Sequence, residues 1–347
     1  MKTKIILLAL TSLLFTISCR KDKPTDPALT CDPSAMNRKV FITNEGKFLA
    51  GNSSVSLYDG SGGCLVENIY AFRNSSALGD VCQSLNKING NYYIVVNNSQ
   101  KIVVMDGSNY IKTAEITGFT SPRYITPVSS TKAYVSDLFG NKLSIINLGN
   151  NSVSGTINLA GWTEEMYYSN GKLFVSNSGS NYLYVIDPTT NAVADSIPVG
   201  TNSNSIREDK NGKLWVLCGG SSWGTLATGA LTRINPATNS VELSIPFASA
   251  YDSPSKLNIN GSKDTLYYIS NGIQRLAITD NALPANTFIP AGNASLYGLG
   301  VDPVDGTIYI GDAKDYNQKG QAIRYTRNGT LIDKLTVGIA PNGFYFY

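Results

Sequence analysis

The sequence contains no histidine. That one absence removes Ser-His-Asp and Cys-His nucleophile pairs, imidazole acid–base catalysis and histidine metal ligation together. Charge is scarce as well: Asp, Glu, Lys and Arg make up 15% of the 347 residues, against about 25% in an average domain. There is no C-x-x-C pair, no EF-hand-like calcium loop and no Gly-rich loop opening a helix, so the zinc, calcium and phosphate-cradle motifs are missing. No short-spaced pair of carboxylates stands out. The expectation is a protein that is not an enzyme and has no resident cofactor and no metal.

Long apolar runs are also lacking, with one exception. Lys2 and Lys4 precede the run from Ile5 to Phe15, which ends in small residues and Cys19. At roughly eleven residues it is shorter than the roughly twenty a spanning helix needs, and it reads as a secretory signal peptide over 1–18. Thr16-Ile17-Ser18-Cys19 resembles the lipobox of bacterial lipoproteins, with Thr where Leu is usual; that resemblance implies lipidation at Cys19. The polar segment 19–38, with Pro24 and Pro27, then reads as a tether, and two or more acyl chains would hold it stably at a membrane. Lys21-Asp22 resembles the short charged signal that sends such lipoproteins to the cell surface, and reads equally as solvated tether.

Without the two leader lysines, 26 basic residues of the original 28 face 25 acidic ones. A chain so nearly neutral implies no nucleic-acid partner. Export permits disulfides. Of Cys31, Cys64, Cys82 and Cys218, the first two are the plausible pair, tying the tether to the first repeat; four small buried hydrophobes is the alternative.

What is abundant is Tyr, Gly and small polar residues, the composition of a turn-rich β protein. An apolar strand ending in a small residue and then Asn or Asp recurs: Phe41-Ile42-Thr43-Asn44, Val95-Val96-Asn97-Asn98, Tyr134-Val135-Ser136-Asp137, Phe174-Val175-Ser176-Asn177, Trp215-Val216-Leu217-Cys218, Tyr268-Ile269-Ser270-Asn271 and Tyr309-Ile310-Gly311-Asp312. The interval is roughly 40 residues, with two units enlarged, which is the period of four-stranded propeller blades. The fold class is therefore all-β, a single seven-bladed β-propeller over 39–347. The chain enters its first unit at Val40 without an inner strand and ends in Gly343-Phe344-Tyr345-Phe346-Tyr347, so these terminal segments are expected to pair and close the ring with no exposed edge.

In such a ring the loops from second to third strand and from outer to next inner strand share one face. That face collects the longest segments: 44–52, 218–229 and 312–320 from the first set, and 71–83, 117–124, 161–166 and 247–255 from the second. Insertions gathered on one face mark a binding face. Its side chains suit a large amphipathic guest. Phe48, Phe119, Phe139, Trp162, Trp223, Tyr251, Tyr297 and Tyr316 offer flat apolar area among Asn44, Asp80, Asn98, Arg123, Asp137, Asn177 and Asp312. Taken singly, the Asn and Asp residues that end strands read as turn caps, Asp80 reads as a turn residue, and Trp215 and Tyr134 read as packing between blades.

The repeat resembles the YVTN propellers, best in Leu173-Phe174-Val175-Ser176-Asn177, Leu183-Tyr184-Val185-Ile186-Asp187 and Ile197-Pro198-Val199-Gly200. A narrower resemblance lies in Phe41-Ile42-Thr43-Asn44-Glu45-Gly46, Leu78-Gly79-Asp80-Val81, Val95-Val96-Asn97-Asn98-Ser99 and Ile116 to Ile125, which look like the Bacteroides surface propellers that capture vitamin B12. It implies a lipoprotein anchored in the outer membrane and facing the exterior, binding a corrinoid (cobalamin) and passing it to a TonB-dependent transporter. Without histidine no imidazole can reach the cobalt, so recognition would be peripheral. An adhesion or assembly propeller binding protein or glycan is the alternative, and a histidine-free hydrolase or lactonase the third.

Overall fold

The computed structural model describes residues 31–61, 63–221 and 226–347. The expected signal peptide, Cys19, the expected tether up to residue 30 and Trp223 lie outside the described residues. Within them the chain forms seven four-stranded antiparallel sheets, the seven-bladed propeller its repeats imply.

The fourth blade shows how the sequence makes one unit. Thr163–Ser169, Lys172–Asn177, Tyr182–Asp187 and Ala192–Pro198 are its strands from channel to rim. The second is buried from Leu173 to Asn177, whereas the fourth buries only Ile197. Blades stack face to face, so both faces of a middle strand are covered and it reads as continuous β-branched and aromatic residues; rim strands face water. Turn chemistry sets the ends: Asp187 accepts from the Thr189 backbone N–H at 2.7 Å, and Asn191 takes φ 55°, a left-handed conformation Asn tolerates. The apolar side chains collect between neighbouring blades. Phe174, Leu183 and Val185 of blade 4 pack on Ile206, Leu214 and Val216 of blade 5, and an equivalent cluster fills each of the seven junctions.

The ring closes as expected. Pro341–Phe346 pairs antiparallel with Lys39–Asn44, setting Phe41 opposite Tyr345 and Ile42 opposite Phe344. Lys39 and Tyr347 exchange backbone hydrogen bonds of 2.9 Å, and the Tyr347 hydroxyl accepts from the Lys87 N–H of blade 2 at 3.0 Å.

Three features depart from the sequence reading. In blades 2 and 6 the second strand ends at Val96 and Ile269, so Asn98 and Asn271 lie two residues beyond it, and Asn or Asp ends that strand only at Asn44, Asp137, Asn177 and Asp312. The enlargement of blade 1 contains a short helix, Ile69–Asn74, capped by Asn68 Oδ1 on the Ala71 N–H at 3.1 Å. Residues 31–38, expected at the end of the tether, pack against the propeller: Met36 is buried, the Pro33 carbonyl accepts from Tyr110 Oη at 3.1 Å, and Arg38 pairs with Asp302 and, at 2.9 Å, Asp305. A disulfide joins Cys31 to Cys64 with Cα atoms 5.7 Å apart, while Cys82 and Cys218 are buried thiols. Cys64 sits between the third and fourth strands of blade 1, so the described chain begins on the face opposite the long loops.

Candidate functional site

Each of the seven inner strands carries a register shift at the same place, one residue after its start. A bulge of this kind inserts one residue and re-aims its side chain. The second residues of these strands, at the shift, are Gln83, Arg123, Glu164, Asn204, Lys256, Tyr297 and Asn342, one per blade, at the loop-face end of the inner strands. They form a ring at the mouth of the central channel, which encloses about 230 Å³ bordered by Gln83, Tyr124, Glu165, Arg207, Lys256 and Asn342 among others.

The ring is tied into a network. Arg123 Nε donates to Glu164 Oε2 at 2.9 Å and its Nη1 to Gln83 Oε1; one layer deeper Arg207 Nη1 meets Glu165 Oε2 at 2.6 Å. Burial works against the Arg123 charge, and Glu164 and Tyr124 more than offset it, leaving its pKa above the usual guanidinium value. Asn342 Nδ2 and Tyr297 Oη donate to the two carboxylate oxygens of Glu45 at 2.9 and 2.7 Å. Burial and then the Glu45 charge hold the Tyr297 phenol well above its ordinary pKa. Lys256 Nζ donates to the Asn342 carbonyl at 3.1 Å, and burial lowers its pKa against the opposing charge of Glu45.

Beside the ring lies an apolar hollow of about 780 Å³, lined by Leu138, Phe139, Trp162, Glu164, Ser178, Asn202, Asn204 and Ser221. Phe139 and Trp162 meet edge to face with centroids 6.2 Å apart, and Phe139 keeps 59% of its surface exposed. Glu164 and Asn204 belong to both ring and hollow, so one continuous surface runs from aromatic walls to charged channel mouth. Volumes of about 300–1,000 Å³ with apolar walls and few polar groups are those of ligand sites.

The residues singled out from the sequence divide into three groups. Phe139, Trp162 and Arg123 come together at the hollow and ring. Phe48, Tyr251 and Tyr316 are exposed on the same face away from them, Tyr316 standing edge to face with Tyr297 at 5.1 Å. The remainder hold loops. Asp137 accepts from the N–H groups of Thr120, Ser121, Phe139 and Gly140. Asn177 accepts from those of Trp162 and Gly179, and Asp312 from those of Ser295 and Lys314. Asn44 is buried and spends its amide N–H groups on Ile42, Ser54 and Ser56. Asp80 is buried and takes Leu49 N–H and the Asn98 amide. Phe119 is buried between blades 2 and 3, as a loop aromatic becomes when its segment folds onto a junction. Sequence reasoning missed Gln83, Glu164, Asn204, Lys256 and Asn342, together with Glu45; the ring positions share no residue type, so the repeat carried no signal for them.

Among the described residues no group of three or more Cys, Asp or Glu side chains is placed to hold a metal ion, and no helix is long and apolar enough to cross a membrane.

The sequence profile of a family described as a domain of unknown function (DUF5074) matches residues 38–346. No curated protein matches the sequence. Among solved structures, a quinonprotein alcohol dehydrogenase-like protein from Bacteroides thetaiotaomicron superposes with TM-score 0.69 at 13% identity, over 90% of this chain and 78% of that one. A putative 6-phosphogluconolactonase from Bacteroides fragilis gives 0.66 at 12%, over 91% and 100%. A functionally unknown protein from Desulfotomaculum acetoxidans gives 0.65 at 11%, over 89% and 98%. At these identities the likeness is one of fold.

Proposed function

The chain belongs to the DUF5074 family, whose description assigns no activity, and from that premise we propose that the protein is a non-enzymatic binding protein holding a large amphipathic ligand on its loop face. The observation that carries this reading is the continuity of the Phe139–Trp162 hollow with the polar ring through Glu164 and Asn204. Such a surface offers flat apolar contact on one side and paired donors and acceptors on the other.

A corrinoid is the ligand that suits this mixture best, because its macrocycle has apolar faces while amide arms surround its rim. The reading includes export, lipidation at Cys19, anchoring in the outer membrane and delivery to a TonB-dependent transporter, as the resemblance to the vitamin B12-capturing propellers implies. Hydrolysis is a poorer reading. The channel carboxylates are engaged, Glu164 by Arg123, Glu165 by Arg207 and Glu45 by Tyr297 and Asn342, and no histidine is present to activate a nucleophile. Adhesion to protein or glycan is favoured by a different observation, the exposure of Phe48, Leu49 and Tyr251.

Isothermal titration of residues 31–347 with cyanocobalamin tests the corrinoid reading. Saturable heat at micromolar ligand is expected; no heat and no spectral change would end it.

A further inference from the structure

The hollow lies across two successive junctions, between blades 3 and 4 and between blades 4 and 5, and the same clasp is built at each. The Asp137 N–H donates to Thr163 Oγ1 at 2.8 Å, and that hydroxyl donates back to the Asp137 carbonyl at 3.0 Å. One junction on, the Asn177 N–H donates to Ser203 Oγ at 2.8 Å, and Ser203 Oγ donates to the Asn177 carbonyl at 3.4 Å. Each clasp fastens the last residue of a second strand to the first residue of the next blade's inner strand. All four residues are fully buried, and none of them lines the hollow. Seven of the eight lining residues nevertheless lie within two positions of them: Leu138 and Phe139 follow Asp137, Trp162 and Glu164 flank Thr163, Ser178 follows Asn177, and Asn202 and Asn204 flank Ser203. The strand-ending side chains tie the walls to the clasps. Asp137 accepts from the Phe139 N–H at 3.2 Å, and Asn177 Oδ1 accepts from the Trp162 N–H at 3.0 Å. A Cβ on Gly161, whose φ is 97°, would stand 2.5 Å from that same Oδ1, so the glycine leaves room for the bond that holds Trp162.

We propose that Thr163 and Ser203 are positioning residues for the ligand site, their hydroxyls setting the Phe139 wall against the Trp162 wall and Trp162 against the amides of Asn202 and Asn204. The inference rests on the reading of the hollow as the place where ligand binds. Its walls come from three blades, and those blades otherwise meet through apolar side chains, whose attraction is not directional. A hydroxyl that accepts from the N–H and donates to the carbonyl of one residue is directional at both ends, so it fixes the register of two blades where apolar contact alone would let them shift. Binding groups have to be held to within about 0.5 Å of their working positions. A ligand that stacks on one wall and bonds to the next is therefore sensitive to the clasps, although no atom of it touches Thr163 or Ser203.

Fluorine NMR of residues 31–347, which contain all seven blades, reads the Trp162 wall directly when Trp162, Trp215 and Trp223 are replaced by fluorotryptophan and the Trp162 signal is assigned by its loss in Trp162→Phe. Thr163→Val and Ser203→Ala should each move or broaden that signal and leave the signal of Trp215, buried in blade 5, in place. Thr163→Ser keeps the hydroxyl and should restore it. Titration of the same proteins with cyanocobalamin should show affinity about tenfold weaker in Thr163→Val and Ser203→Ala, a displaced wall costing less than a deleted one, and regained in Thr163→Ser. Ile323→Val, at the junction of blades 6 and 7, should lower the melting temperature and change neither the Trp162 signal nor the affinity. A Trp162 signal unmoved in both Thr163→Val and Ser203→Ala, wild-type affinity in both, or an equal response in Ile323→Val would overturn the proposal. Should the wild type not bind cyanocobalamin, the corrinoid reading fails and the Trp162 signal alone decides this one.

Discussion

Asn342, on the last strand of the chain, donates a 2.9 Å hydrogen bond to Glu45, which lies 297 residues earlier in the first long loop. Ring closure and the channel mouth therefore share a residue. The same amide also reaches the Gln83 carbonyl of blade 2 at 3.0 Å, so the bulge in the closing strand binds both termini to the site.

Deleting Gly343 to Tyr347 is expected to abolish cooperative melting, although five terminal residues are ordinarily dispensable. The deletion bares the backbone of Val40 to Thr43 and removes Phe344 from the junction between blades 7 and 1. Circular dichroism melting of the truncated chain checks it; an unchanged Tm would mean closure contributes little.

Lys256→Met should raise the melting temperature at pH 7. The folded-state pKa of Lys256 is lowered, chiefly by burial, so the charged form is held less well in the folded chain than in the unfolded one. Between that lowered value and the ordinary 10.5 the unfolded state binds more protons, and wild-type stability rises with pH. The advantage of the variant should accordingly shrink as pH approaches 10.5. Melting curves across that range check it, and a pH-independent loss of stability would contradict it.

Much of the fold was legible because a period of about 40 residues, strand-rich apolar segments and Asn, Asp or Gly at turns repeat in every unit. Ring closure followed from a missing inner strand at Val40 and a spare one at Gly343. The motif misled at Asn98 and Asn271, because an Asn two residues past a strand looks the same in sequence as one that ends it. The channel mouth was illegible for a related reason. Gln83, Arg123, Glu164, Asn204, Lys256, Tyr297 and Asn342 share a position but no residue type, so nothing repeats, and a one-residue bulge leaves no mark on an apolar pattern. Phe139 and Trp162 were found because large aromatics in loops stand out against the strand pattern.

Replacing Cys31 and Cys64 by Ser should lower stability by about 2–4 kcal/mol, the usual effect of opening a disulfide-closed loop of this length. The separation is 33 residues, and Pro33 and Met36 dock on the propeller just after Cys31. Denaturant melts of the double variant give the value; a change below about 0.5 kcal/mol would show that residues 31–38 dock without it.

Cys19→Ala should move the full-length protein from the membrane fraction to the soluble fraction of its host, since the acyl chains on that residue would be its anchor. Membrane association that survives washing in the variant would place the anchor elsewhere.

If the hollow between Phe139 and Trp162 is the ligand site, parallel titration of wild-type, Phe139→Ala and Trp162→Ala proteins with cyanocobalamin will show it. Removing an aromatic anchor should cost roughly 2 kcal/mol of binding, about a thirtyfold loss of affinity. Truncating the exposed Phe139 should change stability by only about 0.5 kcal/mol. Micromolar binding by the wild type with the thirtyfold loss in each variant is the predicted result. Wild-type affinity retained by both variants would place the ligand elsewhere on the propeller and rule the hollow out.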